Sequence, residues 1–288
     1  MFDAVLPYLR CPNCSSPLAA AGDGRTLRCV RGHSFDIARQ GYATLTAGRS
    51  PHAGDSAEMV ADRAAFLAAG YYAFVADALA GTARGKATAH ATATAGGGTR
   101  HHAGGGLVVD AGTGTGYYLA RVLDELPGAA GLGLDVSKPA LRRAARAHPR
   151  AAAALADLWR PLPLADASAG LILDVFAPRN GPEFRRILHP GGVLLVVTPA
   201  ADHLAELVAE FGLIRVDPDK TDRVGGSLGA HFTAESTTTL RREMRLTADE
   251  VRTLIGMTPS ARHVPLDALL AADRTVTAAV DLTVYRPT

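Results

Sequence analysis

Apolar residues follow two rhythms along this 288-residue chain. From residue 107 onward, short apolar runs alternate with stretches of helical spacing. Residues 107–111, 131–134, 151–156, 169–176 and 193–198 read as buried strands. Residues 117–126, 137–148 and 184–188 carry helical periodicity, with Ser137 as a cap and Pro139 in the first turn. Asp202 is expected to cap a helix through Phe211. This alternation predicts an α/β fold, a doubly wound parallel sheet with helices on both faces. The tail changes character: residues 237–246 and 276–285 read as long strands, with a helix starting near Thr247 between them. They predict a closing pair with one antiparallel strand.

Upstream the pattern is different. Residues 1–46 are too few to fold on core burial alone. A loop over 47–54 leads into a helical stretch from Asp55 to about residue 79, with Asp55 as N-cap and Glu58 completing an acidic capping box. Met59, Ala65, Phe66, Ala69 and Tyr72 form its apolar stripe. Residues 85–106 are Ala, Thr, Gly and His without periodicity and read as a low-complexity linker; His101 and His102 within it read as solvated. The expected division is therefore a small module over 1–46, a helical connector over 47–84, the linker, and a large α/β domain over 107–288.

Hydrophobic residues make up 48% of the chain, yet no apolar run approaches the roughly 20 residues that span a bilayer. Residues 1–10 lack the features of a signal peptide. The expectation is a cytoplasmic protein without a membrane partner. A net charge of +2 leaves the partner open.

The 3 cysteines are closely grouped. Cys11 and Cys14 are spaced C-x-x-C, and Cys29 is followed by His33 as C-x-x-x-H. Two short pairs in this arrangement are what a zinc ribbon uses, each on a tight turn, and a closed tetrahedral site is structural. The other reading is a chance grouping of free thiols. The module also carries Arg10, Arg25, Arg28, Arg31 and Arg39 against Asp3, Asp23 and Asp36, a modest positive excess suited to phosphates.

The strand at 107–111 ends in Asp110 and runs into Gly112-Thr113-Gly114-Thr115-Gly116. Tyr117 breaks the dinucleotide fingerprint, which needs glycine there. An acid two residues before GxGxG matches instead the first motif of S-adenosylmethionine-dependent methyltransferases. The next strand ends in Asp135, placed for two ribose hydroxyls, and the third in Asp157-Leu158. Asp157 is placed for the adenine amine and Leu158 for the ring; the alternative for Asp157 is a helix cap. Ligands in such sheets bind beyond the carboxyl ends of the strands, which gathers Asp110 to Gly116, Asp135, Asp157-Leu158 and residues 175–178 at one edge. No catalytic acid–base pair stands out.

The zinc pattern, His33-Ser34-Phe35-Asp36, Gly54-Asp55-Ser56-Ala57-Glu58-Met59 and Gly70-Tyr71-Tyr72 together resemble one family, the RlmA-type 23S rRNA guanine-N1 methyltransferases. Residues 175–180 (Val-Phe-Ala-Pro-Arg-Asn) and 188–192 (Leu-His-Pro-Gly-Gly) are most similar to its tylosin-resistance branch. The resemblance runs nearly end to end outside 85–106. It implies a class I S-adenosylmethionine-dependent methyltransferase domain behind a zinc module that helps recognise RNA. It also implies methylation of N1 of a guanine in a domain II hairpin near the peptide exit tunnel, and leaves a homodimer open. By matching motifs, Tyr72, Gly114, Thr115 and His203 correspond to positions that contact the cofactor. One departure is Arg262, where members commonly carry tryptophan after Met257-Thr258-Pro259. Relatives adapted to small aromatic substrates, including carbon methylation of indoles, supply the alternative function.

Overall fold

The computed structural model describes residues 2–22, 24–48, 52–94, 106–213, 227–263 and 272–288, with the side chains of 89–94 and 262 outside that description. Near the amino terminus, β1 (Leu18–Ala21), β2 (Thr26–Cys29) and β3 (Ser34–Asp36) form a small antiparallel sheet. The next strand, β4 (Tyr42–Thr44), leaves that sheet and pairs in parallel with β7 (Ala151–Leu155). Residues assigned by pattern to the small module therefore form an edge of the main sheet.

That main sheet has eight strands in the order β10-β11-β9-β8-β5-β6-β7-β4. Its remaining strands are β5 (Leu107–Ala111), β6 (Ala130–Asp135), β8 (Ala169–Val175), β9 (Leu188–Pro199), β10 (Phe232–Leu246) and β11 (Arg274–Pro287). All neighbours from β9 to β4 pair in parallel, and β11 lies antiparallel between β9 and β10. This is the class I methyltransferase variant of the doubly wound sheet. Strand order reverses at β5, whose neighbours are β6 and β8, and a ligand crevice opens at such a point.

Strand residues alternate between two cores, as a pleat requires. On one face Val108, Leu173, Leu195 and Val280 meet α1 (Ala57–Ala68), α2 (Ala73–Thr94), α3 (Tyr117–Glu125) and α7 (Ala248–Gly256). On the other, Val109, Leu132, Ile172 and Leu194 meet α5 (Gly181–Ile187), Leu9 before the small sheet, and that sheet's Leu18, Leu27 and Phe35. The amino-terminal module thus acts as a covering layer. Its backbone is tied in as well: Arg10 N–H donates to the Pro163 carbonyl at 2.9 Å and Ala165 N–H to that of Tyr8 at 2.9 Å.

Several local expectations need correction. Ser56, not Asp55, caps α1, accepting the Met59 N–H at 3.2 Å, because Asp55 is turned toward Arg63. The single helix expected over 55–79 is two, bent by 77° at a break that includes Gly70 with φ +84°. α2 continues through Thr94, so the first part of the expected linker is helical; its Ala80 and Ala83 are buried. The rest of that stretch, with His101 and His102, lies outside the described residues. Leu204, in the left-handed region, precedes α6 (Ala205–Phe211), and Asp202 pairs with Arg241. Ser137 does cap α4 (Lys138–Ala144), and Thr247 caps α7 with a full capping box. No single described helix is long and apolar enough to cross a membrane.

Candidate active site and metal cluster

The carboxyl ends of β5, β6, β7 and β8 open on a cavity of about 600 Å³, within the usual range for small-molecule sites. Its lower wall is the glycine turn after β5. Gly112, Gly114 and Gly116 have φ of +79°, +54° and +81°, which L side chains resist. At Gly112 a Cβ would also lie 2.4 Å from that of Ala177, and at Gly116 one would lie 2.7 Å from that of Ala147. The turn therefore needs glycine for conformation and for close approach.

Gly112, Gly114, Thr115, Asp135, Asp157, Leu158, Tyr72 and His203 all line this cavity, whereas Asp110 and Gly116 stand behind it. Asp110 is 1% exposed and accepts from the Thr113 hydroxyl at 2.7 Å, so it shapes the turn from beneath. Asp135 accepts the Gly114 N–H and the Ser137 N–H, both at 2.8 Å, which fixes its carboxylate at the cavity floor with lone pairs to spare. Burial pushes its pKa up. Asp157 accepts the Trp159 N–H at 3.0 Å and faces His52 Nδ1 at 2.9 Å. That histidine, from the loop before α1, had no signal in the sequence.

The upper wall is aromatic. Tyr72, Phe176 and His203 form a triangle with ring centroids 6.1 to 6.4 Å apart. His203 Nδ1 lies 2.8 Å from the carbonyl and 3.2 Å from the N–H of Ala279, and Nε2 lies 3.3 Å from the Tyr72 hydroxyl, so both ring nitrogens are held. Burial lowers the His203 pKa to about 4, so the imidazole is neutral at pH 7. Phe176, at φ +55°, is 41% exposed, and Trp159 at the other side of the cavity is 54% exposed. Phe176 lies in the stretch 175–178 that the strand-end rule gathers at this edge, whereas Trp159 had no signal in the sequence.

Burial raises the Asp110 pKa from 3.8 to about 7, with the Thr113 hydroxyl opposing and the Asp135 charge adding. A carboxyl whose folded pKa is raised contributes stability below its unfolded pKa and loses it as pH rises through the folded value. The protein should thus lose on the order of a few kcal/mol between about pH 4 and 7 from this group. Urea melts of the native protein and Asp110→Asn across that range should diverge with rising pH, with the asparagine variant gaining relative stability. Parallel curves would contradict the assignment.

The second cluster lies in the small sheet. Cys11 and Cys14 sit on one tight turn, with Ser15 in the left-handed region and its N–H donating to the Cys11 carbonyl at 2.8 Å. Cys29 and His33 sit on another, where Gly32 has φ +84°. The four ligand atoms lie within 4.8 Å of one another. Cys14 Sγ is 3.7 Å from Cys29 Sγ, and His33 Nδ1 is 3.5 Å from Cys11 Sγ and 3.4 Å from Cys29 Sγ. A tetrahedral ion with about 2.3 Å Zn–S bonds has ligand–ligand edges of about 3.7 Å. The donors and their spacing fit such an ion, and all cysteines are free of disulfides.

Comparison with known proteins agrees with both halves. Residues 9–46 match the family described as "RlmA, N-terminal", a zinc ribbon. The chain is 57% identical over 295 residues, covering all of both chains, to a Micromonospora griseorubida protein provisionally named a 23S rRNA (guanine-N(1)-)-methyltransferase. It is 50% identical over 289 residues, 98% of each chain, to the 23S rRNA (guanine(748)-N(1))-methyltransferase of Streptomyces fradiae. A Bacillus subtilis (strain 168) protein, provisionally named in the same way as the first, is 30% identical over 90% of this chain and 88% of its own. With the ribbon and the whole pocket-bearing sheet inside these matches, the chain is a methyltransferase and belongs to the RlmA-type 23S rRNA guanine-N1 methyltransferase family.

Proposed function

We propose that this protein transfers a methyl group from S-adenosylmethionine to N1 of a guanine in 23S rRNA, the guanine equivalent to that named for the Streptomyces fradiae relative. The full-length match to that relative, spanning ribbon and pocket alike, carries the reading. Asp135 would take the ribose hydroxyls, with Asp157 and Leu158 toward the adenine and Tyr72, Gly114, Thr115 and His203 along the rest of the cofactor. When bound, the cofactor supplies an electrophilic methyl on a sulfonium. A neutral His203 suits that neighbour, since an imidazolium would repel the positive sulfur. Guanine N1 carries a proton that must leave, which a base near the cavity would take. The enzyme's main task is alignment, which the rigid glycine turn serves.

A base inside an RNA fold reaches such a cavity by leaving its stack, and sequence-specific recognition of RNA favours unpaired bases stacked on aromatic faces. Phe176 and Trp159 present such faces at the cavity. In the ribbon, Arg28 and Arg31 are exposed and bracket Val30, itself 90% exposed. Zinc is the ion we assign to Cys11, Cys14, Cys29 and His33, holding this surface in shape. The alternative substrate, a small aromatic compound, has no support in the names of the relatives.

Purified protein with methyl-labelled cofactor should label 23S rRNA and leave indole unlabelled. Reversing Arg28 and Arg31 to Glu should reduce RNA methylation roughly tenfold or more at low salt, because phosphate contacts are lost, while cofactor affinity stays unchanged. Label on indole and none on RNA would overturn the reading.

A further inference from the structure

Four cations on α4 and the turn after it stand without an ion pair among the described residues. The stretch from Lys138 to Arg150 contains no Asp or Glu. Its inward face is apolar: Leu141, Ala144 and Ala145 are buried in one cluster with Tyr42 of β4 and with Ala153 and Leu155 of β7. The outward face carries Lys138, Arg142, Arg143 and Arg146, all exposed. Elsewhere the fold gives its arginines partners. Arg84, Arg121, Arg186, Arg241, Arg274 and Arg286 each face a carboxylate.

Such a row is unfavourable for the helix by itself. Lys138 and Arg142 are four positions apart, where like charges repel, and Arg146 extends the row. Arg142 and Arg143 lie in the last turn, where the helix dipole favours cations. Lys138 opens the helix, at the end where the dipole disfavours them. A solvated helix face normally mixes signs, whereas this one carries a single sign. A fifth cation lies alongside. Arg39 is exposed on the turn between β3 and β4, and its neighbour Ala38 packs against the apolar cluster under α4. The Ala38 N–H donates to the Tyr42 carbonyl at 2.8 Å, which fixes that turn. The other end of the row points to the cavity, because Val136, two residues before Lys138, lines it.

We propose that Lys138, Arg142, Arg143, Arg146 and Arg39 bind the phosphate backbone of the RNA that carries the target guanine. The inference rests on the reading that the substrate is RNA. A base drawn out of its stack into the cavity leaves its flanking phosphates at the rim. From that rim α4 leads away over roughly 10 Å, at about 1.5 Å per residue, long enough to meet successive phosphates. Contacts of this kind fix register and orientation and read no sequence, so the patch positions the RNA and the cavity selects the base. The ribbon's Arg28 and Arg31 are then one of two anchoring surfaces.

The test combines Arg142→Gln, Arg143→Gln and Arg146→Gln, exposed positions where substitution is well tolerated. Affinity for a 23S rRNA fragment containing the target guanine should fall at least tenfold at low salt. The slope of log affinity against log salt should shrink by about 2 to 3, at about 0.7–0.9 per lost phosphate contact. Arg39→Gln alone should shrink it by about 1. Methylation lost at limiting RNA should return at saturating RNA, and S-adenosylhomocysteine affinity, which also checks the fold, should stay within about twofold. Arg142→Lys, Arg143→Lys and Arg146→Lys combined should keep most of the affinity, since a point charge suffices for phosphate. Unchanged RNA affinity and salt slope in the glutamine variant would overturn the patch, as would an equal loss in the lysine variant. Intact RNA binding with lost binding to polyglutamate would assign the patch to an acidic protein partner and overturn it too. In each case RNA methylation by the native protein leaves the substrate reading standing. A native protein that neither binds nor methylates the RNA would overturn both.

Discussion

Serine in place of Cys14 should release the metal and unfold residues 9–46, with the loss spreading into the main sheet. The four ligands come from two turns joined only by the short β1–β2 ladder, and that sheet has too little core to stand alone. Metal binding at such sites is worth about 10–16 kcal/mol in peptides, comparable to the whole stability of a domain. The ribbon is also no detached satellite here. Leu9, Leu18, Leu27 and Phe35 share one apolar cluster with Leu132, Ile172 and Leu194, so losing the ribbon uncovers a face of the sheet. Elemental analysis should find about one zinc per native chain and almost none in the variant. Hydrogen exchange should show protection lost through the ribbon and through β4. A metal-free variant with the ribbon still protected would contradict the assignment.

Alanine at Gly112 should cost the enzyme about 100-fold or more in kcat/KM. The left-handed backbone there, φ +79°, costs an L residue about 1–2 kcal/mol. The new Cβ would also lie 2.4 Å from that of Ala177, an approach no real pair of side chains tolerates. Either the glycine turn or the segment that carries Phe176 must move, and a displacement of about 1 Å in a reacting geometry can cost 10²-fold. Gly85→Ala is the control. That glycine lies in α2 with nothing within 4 Å of its would-be Cβ, so the substitution should raise stability by up to about 1 kcal/mol and leave kcat/KM unchanged. Equal effects of the two substitutions would contradict the role given to the turn.

What could be read from the residues is what depends on local rhythm. Buried parallel strands announce themselves as short apolar runs, and the runs ending at Asp110, Asp135 and Asp157 lead to the cavity edge as the strand-end rule requires. The Cys and His pairs were equally legible, because ligand spacing within a knuckle is short. Tertiary facts were not. Tyr42–Thr44 joins the main sheet by pairing with residues more than 100 positions away, which no local pattern records. The Ala- and Thr-rich residues 85–94 looked like a linker because they lack an apolar stripe, yet they extend a helix whose earlier turns are anchored by Val75, Leu79 and Ala83 in the core. Arg63 had no signal in the sequence and comes to face Gly114 only through the fold. His52 and the aromatic triangle came together in the same way, from distant segments. The side chain of Arg262, the one departure from the family pattern, lies outside the described residues.

The central claim is the atom that is methylated, and nucleoside analysis tests it most directly. After incubation with unlabelled cofactor, 23S rRNA from a strain lacking this modification should yield 1-methylguanosine on digestion and a single new stop in primer extension, since a methyl on N1 blocks base pairing. The account predicts one such site, at the guanine equivalent to that of the Streptomyces fradiae relative. Methyl groups found on another atom or nucleoside, or no modified nucleoside at all from protein that binds the cofactor, would contradict it.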